Sequence, residues 1–337
     1  MATGHANIIE QIADPDVPLA QFRRLLKLEP SRSKPFTPSI GLDFGHAALA
    51  RTADPFTPTG GAVGDAFTQR RQEQYRRRIA AGDTSLRFVA EGDSWFYYPI
   101  VLRDTLDWLS DSYAIFDLAA AGDTLENMKR GITNIIDVIE REESQGFLLS
   151  GGGNDLLEGN RLTLLLSPYT PDPSGGPLYK TAQDYIIMHR LDAYLTQIIA
   201  DYRYFFDVLT GKFPDLRIFC HGYDWMLPRF AGIYLWPIME EREIQEPLRA
   251  PIIKIMVDQF NARLQQLASN VAYGGRVLYV NCRGAVGNKA KWFDEIHPKT
   301  PGFGRVANRF KSAISAAFGV ARPAKYLESQ EARISLD

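Results

Sequence analysis

Between residues 86 and 319, short apolar runs and longer amphipathic runs alternate five times, and this constrains the fold more than any other feature of the chain. The strand-like runs are 86–93, 113–123, 146–155, 216–224 and 276–282. The helix-like runs are 101–110, 124–142, 179–213, 251–272 and 303–319. The strand-like runs are apolar without clean two-residue alternation, so both faces of each strand need cover. Strand and helix in strict alternation predict a parallel sheet with helices on both sides, an α/β fold in three layers, α/β/α.

The first 66 residues follow no such rhythm. Residues 7–28 read as two short amphipathic helices broken at Pro15 and Pro18. Residues 29–65 are rich in Pro, Gly, Ser and Thr and read as an extended arm packed on a surface. The stretch "GGAVGD" at 60–65 follows no strand, so it is not a nucleotide-binding loop. The expected division is an N-terminal arm at 1–66, an α/β domain at 67–320 with insertions at 157–178 and 225–250, and a tail at 321–337. Residues 67–81 read as a helix whose arginine run is a solvated face.

Net charge is −2, which gives no reason to expect nucleic acid or an anionic membrane as a partner. The N-terminus does not read as an export signal, and no apolar run is long enough to span a membrane. A cytoplasmic location is expected. Both cysteines, Cys220 and Cys282, lie in strand-like stretches and read as reduced core residues. No metal or organic cofactor is expected.

In open α/β sheets, sites form at the carboxyl ends of the strands. The first strand end delivers Gly92, Asp93 and Ser94. The second delivers Gly122 and Asp123, the third Gly151 to Asp155, and the fourth His221 to Asp224. After the fifth come Asp294 and His297, three residues apart. A serine hydroxyl becomes a nucleophile when a base within hydrogen-bond reach takes its proton and a third group orients that base. His297 can present one ring nitrogen to Ser94 while Asp294 accepts from the other. The oxyanion that follows needs donors aimed at it. The backbone N–H groups of Ser94 and Gly122 and the side-chain amide of Asn154 come from adjacent strand ends.

These blocks, "GDSW" (92–95), Gly122 in "AAAGDT", "GGND" (152–155) and "DEIHP" (294–298), resemble those of the SGNH (GDSL-type) serine hydrolases. The order matches as well, and the resemblance covers about residues 86 to 319. It departs at the second block, where Ala119, Ala120 and Ala121 stand and the family often carries an Asn. The resemblance implies a five-stranded, flavodoxin-like parallel sheet and a cofactor-independent cleavage of a small-molecule carboxylic ester. Ser94 is then the nucleophile, His297 the base and Asp294 its orienter, with Ser94, Gly122 and Asn154 as the oxyanion hole. An acyltransferase would use the same residues. A metallophosphoesterase built on Gly92, Asp93, Asn154 and His221 lacks the further histidine motifs, and a scaffold has no need of a triad.

Each residue also has a structural reading. Ser94 can cap a following helix. Gly122 can be a turn glycine, with Asp123 and Glu126 forming a capping box. Asp93 reads as a turn acceptor, Asp155 as a cap and His221 as a structural histidine. Glu295 is the rival orienter. His5, His46 and His189 sit at no strand end. The aromatic residues after Ser94, and the apolar segment 225–240, read as a substrate wall to which Trp95, Phe96, Trp225 and Trp236 contribute. An interface between copies of the chain in a homo-oligomer, or packing against the N-terminal arm, is the competing reading of the same surface.

Overall fold

The computed structural model describes residues 3–23, 26–28, 40–42, 59–157, 161–174, 176 and 178–323. Most of the extended stretch 29–65, His46 included, and most of the tail lie outside the described residues. Five strands form one sheet: β1 (Arg87–Gly92), β2 (Ala114–Asp117), β3 (Gly146–Ser150), β4 (Arg217–His221) and β5 (Val277–Val280). Their order is β2-β1-β3-β4-β5 and every neighbouring pair is parallel. That is the flavodoxin-like order. A short antiparallel ribbon, Leu26–Leu28 with Ile40–Leu42, lies outside the sheet.

All five residues of β3 are buried, as are all of β1 except its first. This explains the missing alternation in the sequence: the sheet has no solvated face. On one side Phe88 of β1 and Phe219 of β4 meet Phe318 of helix α10 (Thr300–Phe318) at ring separations of 6.0 and 6.2 Å. On the other, Tyr202 of α7 (Met188–Lys212) meets Phe260 of α9 (Glu246–Ala268) at 6.3 Å. The remaining helices introduced here are α1 (Thr3–Ala13), α2 (Thr59–Ala80), α3 (Thr105–Ser110), α4 (Leu125–Arg130), α5 (Ile132–Arg141), α6 (Gly153–Leu157) and α8 (Trp236–Glu241).

Three expectations change. Helix α2 begins at Thr59 and runs through "GGAVGD", so the expected boundary at residue 66 falls inside it. Its arginine run is not all solvated. Arg71 is 8% exposed and its guanidinium reaches Asp104 (2.6 Å), Asp107 (2.7 Å) and Asp117 (2.8 Å). Three carboxylates around one buried guanidinium fasten α2 to α3 and to the end of β2. The second strand is also shorter than its apolar run. It ends at Asp117, although the Leu118 and Ala120 N–H groups still donate to the Ala90 and Gly92 carbonyls of β1, and the chain then turns at Gly122, which takes a left-handed conformation (φ +80°). No helix among the described residues is long and apolar enough to cross a membrane.

The register levels the ends of the two central strands. Gly92 of β1 sits beside Ser150 of β3, and a Cβ on Gly92 would lie 2.8 Å from the Ser150 Cβ. Glycine there is a matter of space, and it lets the following turn lie close to the end of β3.

Candidate active site

β1 ends on a turn whose organiser is Asp93. Its carbonyl accepts the N–H groups of Phe96 and Tyr97, both at 3.0 Å, and its Oδ1 accepts that of Trp95 at 3.1 Å. Ser94 is therefore held on a turn and caps no helix. The next helix, α3, starts eleven residues later and is capped by Asp104.

The Ser94 Oγ lies 2.8 Å from His297 Nε2, and His297 Nδ1 lies 2.8 Å from Asp294 Oδ2. Asp294 Oδ1 accepts the backbone N–H groups of Ile296 (2.9 Å) and His297 (2.7 Å). With Asp294 ionised, Nδ1–H donates to the carboxylate and Nε2 is left to accept from Ser94. Burial opposes the charge on Asp294, but the His297 ring and the two N–H groups outweigh it and hold the carboxyl below its ordinary value. Tyr98 and Tyr234 flank the His297 ring edge-on at 4.8 and 5.8 Å. Ser94 is 4% exposed.

Glu295, the rival orienter, does not face His297. Its carboxylate accepts N–H groups from Arg229 (3.2 Å), Tyr234 (2.6 Å), Leu235 (2.9 Å) and Trp236 (2.7 Å). Gly232 wraps so closely around it that a Cβ has no room. Glu295 thus gathers the 229–236 loop beside Asp294. A cleft of about 330 Å³ opens there, lined by residues 229–233 with Lys289, Asp294 and Glu295.

Asn154 stands at the start of α6, 2% exposed, and its Nδ2 donates to the Asp123 carbonyl at 2.6 Å. That bond joins the third strand end to the Gly122 turn. Neither Ser94 nor Gly122 uses its backbone N–H in a hydrogen bond among the described residues. The expected capping box of Asp123 and Glu126 does not form, and the cap sits one residue later. Thr124 is the N-cap of α4, accepting from Asn127, while Asp123 Oδ1 accepts from Thr124 N–H and the Asn127 amide. Asp155 accepts the Leu125 N–H at 3.1 Å, and burial pushes its carboxyl up to about 6.

A second Ser–His–Asp chain lies beneath the first. Ser150 Oγ is 2.8 Å from His221 Nε2 and 2.7 Å from Asp93 Oδ1, while His221 Nδ1 faces the Gly222 carbonyl at 2.9 Å. Here the aspartate meets the serine and not the histidine. Ser150 and His221 are both wholly buried. His221 has no ring nitrogen left for a metal, and among the described residues no three His, Cys, Asp or Glu side chains gather into a metal-holding group.

The substrate wall is partly corrected. Trp95 is 2% exposed and Phe96 is fully buried. Trp95 stacks on His221 at 5.7 Å and donates its indole N–H to the Ile296 carbonyl at 3.1 Å. Phe96 packs on His221 and Phe310. Both point into the core because an α/β sheet needs apolar cover where β1 ends. Trp225 and Trp236 are half-buried. Trp225 donates to Asp258 of α9 at 2.9 Å, and Trp236 lies 5.4 Å from the ring of Phe230, which is 86% exposed. Sequence reading missed Phe230, Tyr234 and the anchoring by Glu295. The only local hint was the apolar excess of 225–240.

No protein-family model matches the chain, and no curated protein matches it in sequence. Among solved structures it is similar to an extracellular lipase of Streptomyces rimosus, with 16% identity, TM-score 0.45, and coverage of 68% of this chain and 100% of that one. It is likewise similar to phospholipase A1 of Streptomyces albidoflavus, with 13% identity, TM-score 0.42, and coverage of 68% and 100%. A carbohydrate esterase family 3 protein of Talaromyces cellulolyticus shows 13% identity, TM-score 0.40, and coverage of 70% and 100%.

Proposed function

We propose that the protein is a serine hydrolase of the SGNH type that cleaves a carboxylic ester. The observation that carries this reading is the unbroken chain Ser94–His297–Asp294, both links at 2.8 Å and in the order that general-base catalysis requires. His297 Nε2 takes the Ser94 proton as Oγ attacks the carbonyl carbon. Asp294 holds the ring in the needed tautomer and stabilises the imidazolium. The oxyanion rests on the N–H groups of Ser94 and Gly122 and on the Asn154 amide, donors that need no reorganisation when charge develops. His297 then returns its proton to the leaving alkoxide, which departs as the alcohol. A water molecule, deprotonated by the same nitrogen, opens the acyl-enzyme and restores Ser94.

The cleft beside Asp294, lined in part by Phe230 and Ile233 with Trp236 packed against Phe230, favours an ester with an apolar acyl or alcohol group. Each methylene buried there contributes about 0.8 kcal/mol. Cys220 and Cys282 are both buried and unpaired, in keeping with a cytoplasmic location. The test is hydrolysis of p-nitrophenyl esters from acetyl to decanoyl. Turnover that rises with chain length in the wild type and vanishes in Ser94→Ala supports the reading. Equal turnover in Ser94→Ala contradicts it.

A further inference from the structure

We propose that Tyr223 is a positioning residue that sets the oxyanion donor Asn154 relative to the nucleophile Ser94. The inference rests on the proposed role of that pair. The two residues come from different strand ends, and the fold must fix one against the other. One hydroxyl bonds to the residue that precedes each of them. Tyr223 OH donates to Asp93 Oδ2, and it accepts the Gly153 N–H at 3.0 Å. Asp93 precedes Ser94 in the chain and Gly153 precedes Asn154. Besides the links through Ser150 at the strand ends, one route from nucleophile to oxyanion donor therefore runs through one carboxylate and one phenol.

Both ends of the bridge are rigid. Asp93 is held from below by Ser150 Oγ (2.7 Å), and its Oδ1 also takes the Trp95 N–H (3.1 Å). The Asp93 N–H donates to the Ser150 carbonyl at 3.2 Å. The Tyr223 ring is wedged between Trp95 at 5.2 Å and Phe260 at 5.9 Å, and Asn261 Nδ2 grips its carbonyl at 3.1 Å. Gly153 is pressed against the phenol: a Cβ there would lie 3.0 Å from both Cζ and the hydroxyl oxygen. Tyr223 is 3% exposed, so water does not substitute for the hydroxyl without displacing this packing. Packing alone is served equally by phenylalanine. The oxygen is the atom that makes the bridge.

Oxyanion stabilisation depends steeply on where the donor stands, and a misplacement of about 1 Å far from the chemistry can cost about 10²-fold in rate. Releasing Gly153 frees the first turn of α6 and with it Asn154. The effect falls on kcat, because the oxyanion exists only near the transition state.

The experiment is a double-mutant cycle of Tyr223→Phe and Asn154→Ala on ester turnover, with Ser94→Ala as reference and thermal melts on every variant. Tyr223→Phe is expected to lower kcat about 10- to 100-fold with KM within about threefold. In the Asn154→Ala background the same change is expected to lower kcat no further, since the group it positions is gone. A boronic acid, whose tetrahedral adduct mimics the oxyanion, is expected to bind Tyr223→Phe more weakly by the same factor as the kcat loss. An unchanged kcat in Tyr223→Phe, or an equal loss in both backgrounds, overturns the inference while leaving ester hydrolysis at Ser94 intact. Full turnover by Ser94→Ala overturns the reading of the site and the inference with it.

Discussion

The molecule holds two serine–histidine–aspartate chains side by side, and they differ in order. In one, His297 stands between Ser94 and Asp294. In the other, Ser150 stands between His221 and Asp93. The inventory is the same and the chemistry is not. A central histidine can take a proton on one nitrogen while the carboxylate across the ring stabilises the charge. A central serine offers one proton to two acceptors and leaves the histidine facing a carbonyl, the Gly222 oxygen, which does not neutralise an imidazolium. Burial also pushes the His221 pKa down, which opposes the protonation a base must undergo. In the proposed reading the first chain moves a proton and the second holds three strand ends together. Trp95 separates the two, stacked on His221 and bonded to the residue before His297.

The contrast breaks most directly at the serines and histidines. Ser94→Ala and His297→Ala are each expected to lower kcat by about 10⁴- to 10⁶-fold, since such groups act as a unit. Their melting temperatures should stay near that of the wild type. Ser150→Ala and His221→Gln are expected to show the reverse, keeping kcat within about tenfold while losing about 1–3 kcal/mol of stability to unsatisfied buried partners. Parallel kinetics and urea melts check both arms, and a dead but stable Ser150→Ala would assign the chemistry to the wrong chain.

Asp294→Asn should cost about 10⁴-fold in kcat, less than loss of His297, because the ring tautomer is disturbed while the base remains. Asn154→Ala should cost about 10²- to 10³-fold in kcat with little change in KM. Steady-state kinetics separate these two from a binding defect. Glu295→Gln sharpens the comparison of the two neighbouring acids. Four N–H groups converge on Glu295, and an amide places an NH₂ among them. We expect a loss of about 1–3 kcal/mol in stability and a flattened chain-length profile, with acetyl-ester kcat nearly unchanged. A kcat loss for acetyl ester larger than that of Asp294→Asn would make Glu295 the orienter.

The smallest effect is acidic. The His221 pKa is lowered by burial, so its neutral form stabilises the fold above its unfolded value of about 6.5. That contribution is lost as pH falls below this value and through the folded one. Urea midpoints taken from pH 8 to 5 should fall more steeply for the wild type than for His221→Gln.

How much of this was legible in the sequence follows from how local each signal is. The strand ends and the Asp294–His297 spacing are readable because they depend on residues within a few positions of one another. Five apolar strands without alternation imply the two-sided cover that the sheet has. Partnerships across long separations are not written locally. The Arg71 guanidinium finds Asp104 and Asp107 at the start of α3 and Asp117 at the end of β2, 33 to 46 residues away, so a basic run read as a solvated face. Glu295 meets donors 59 to 66 residues away. Trp95 and Phe96 misled for another reason: an aromatic residue beside a nucleophile has the same composition whether it lines a pocket or roofs the core, and only the packing of α10 and β4 decides. Asp123 and Thr124 are both good caps, and the turn at Gly122 chooses between them.

The central claim is that order, and not inventory, selects the reactive chain. The most direct measurement is labelling of the native protein with a fluorophosphonate, followed by peptide mass spectrometry to locate the adduct. The account predicts one adduct, on Ser94, abolished in His297→Ala and retained in His221→Gln. An adduct on Ser150, or labelling of Ser94 that survives loss of His297, would contradict it.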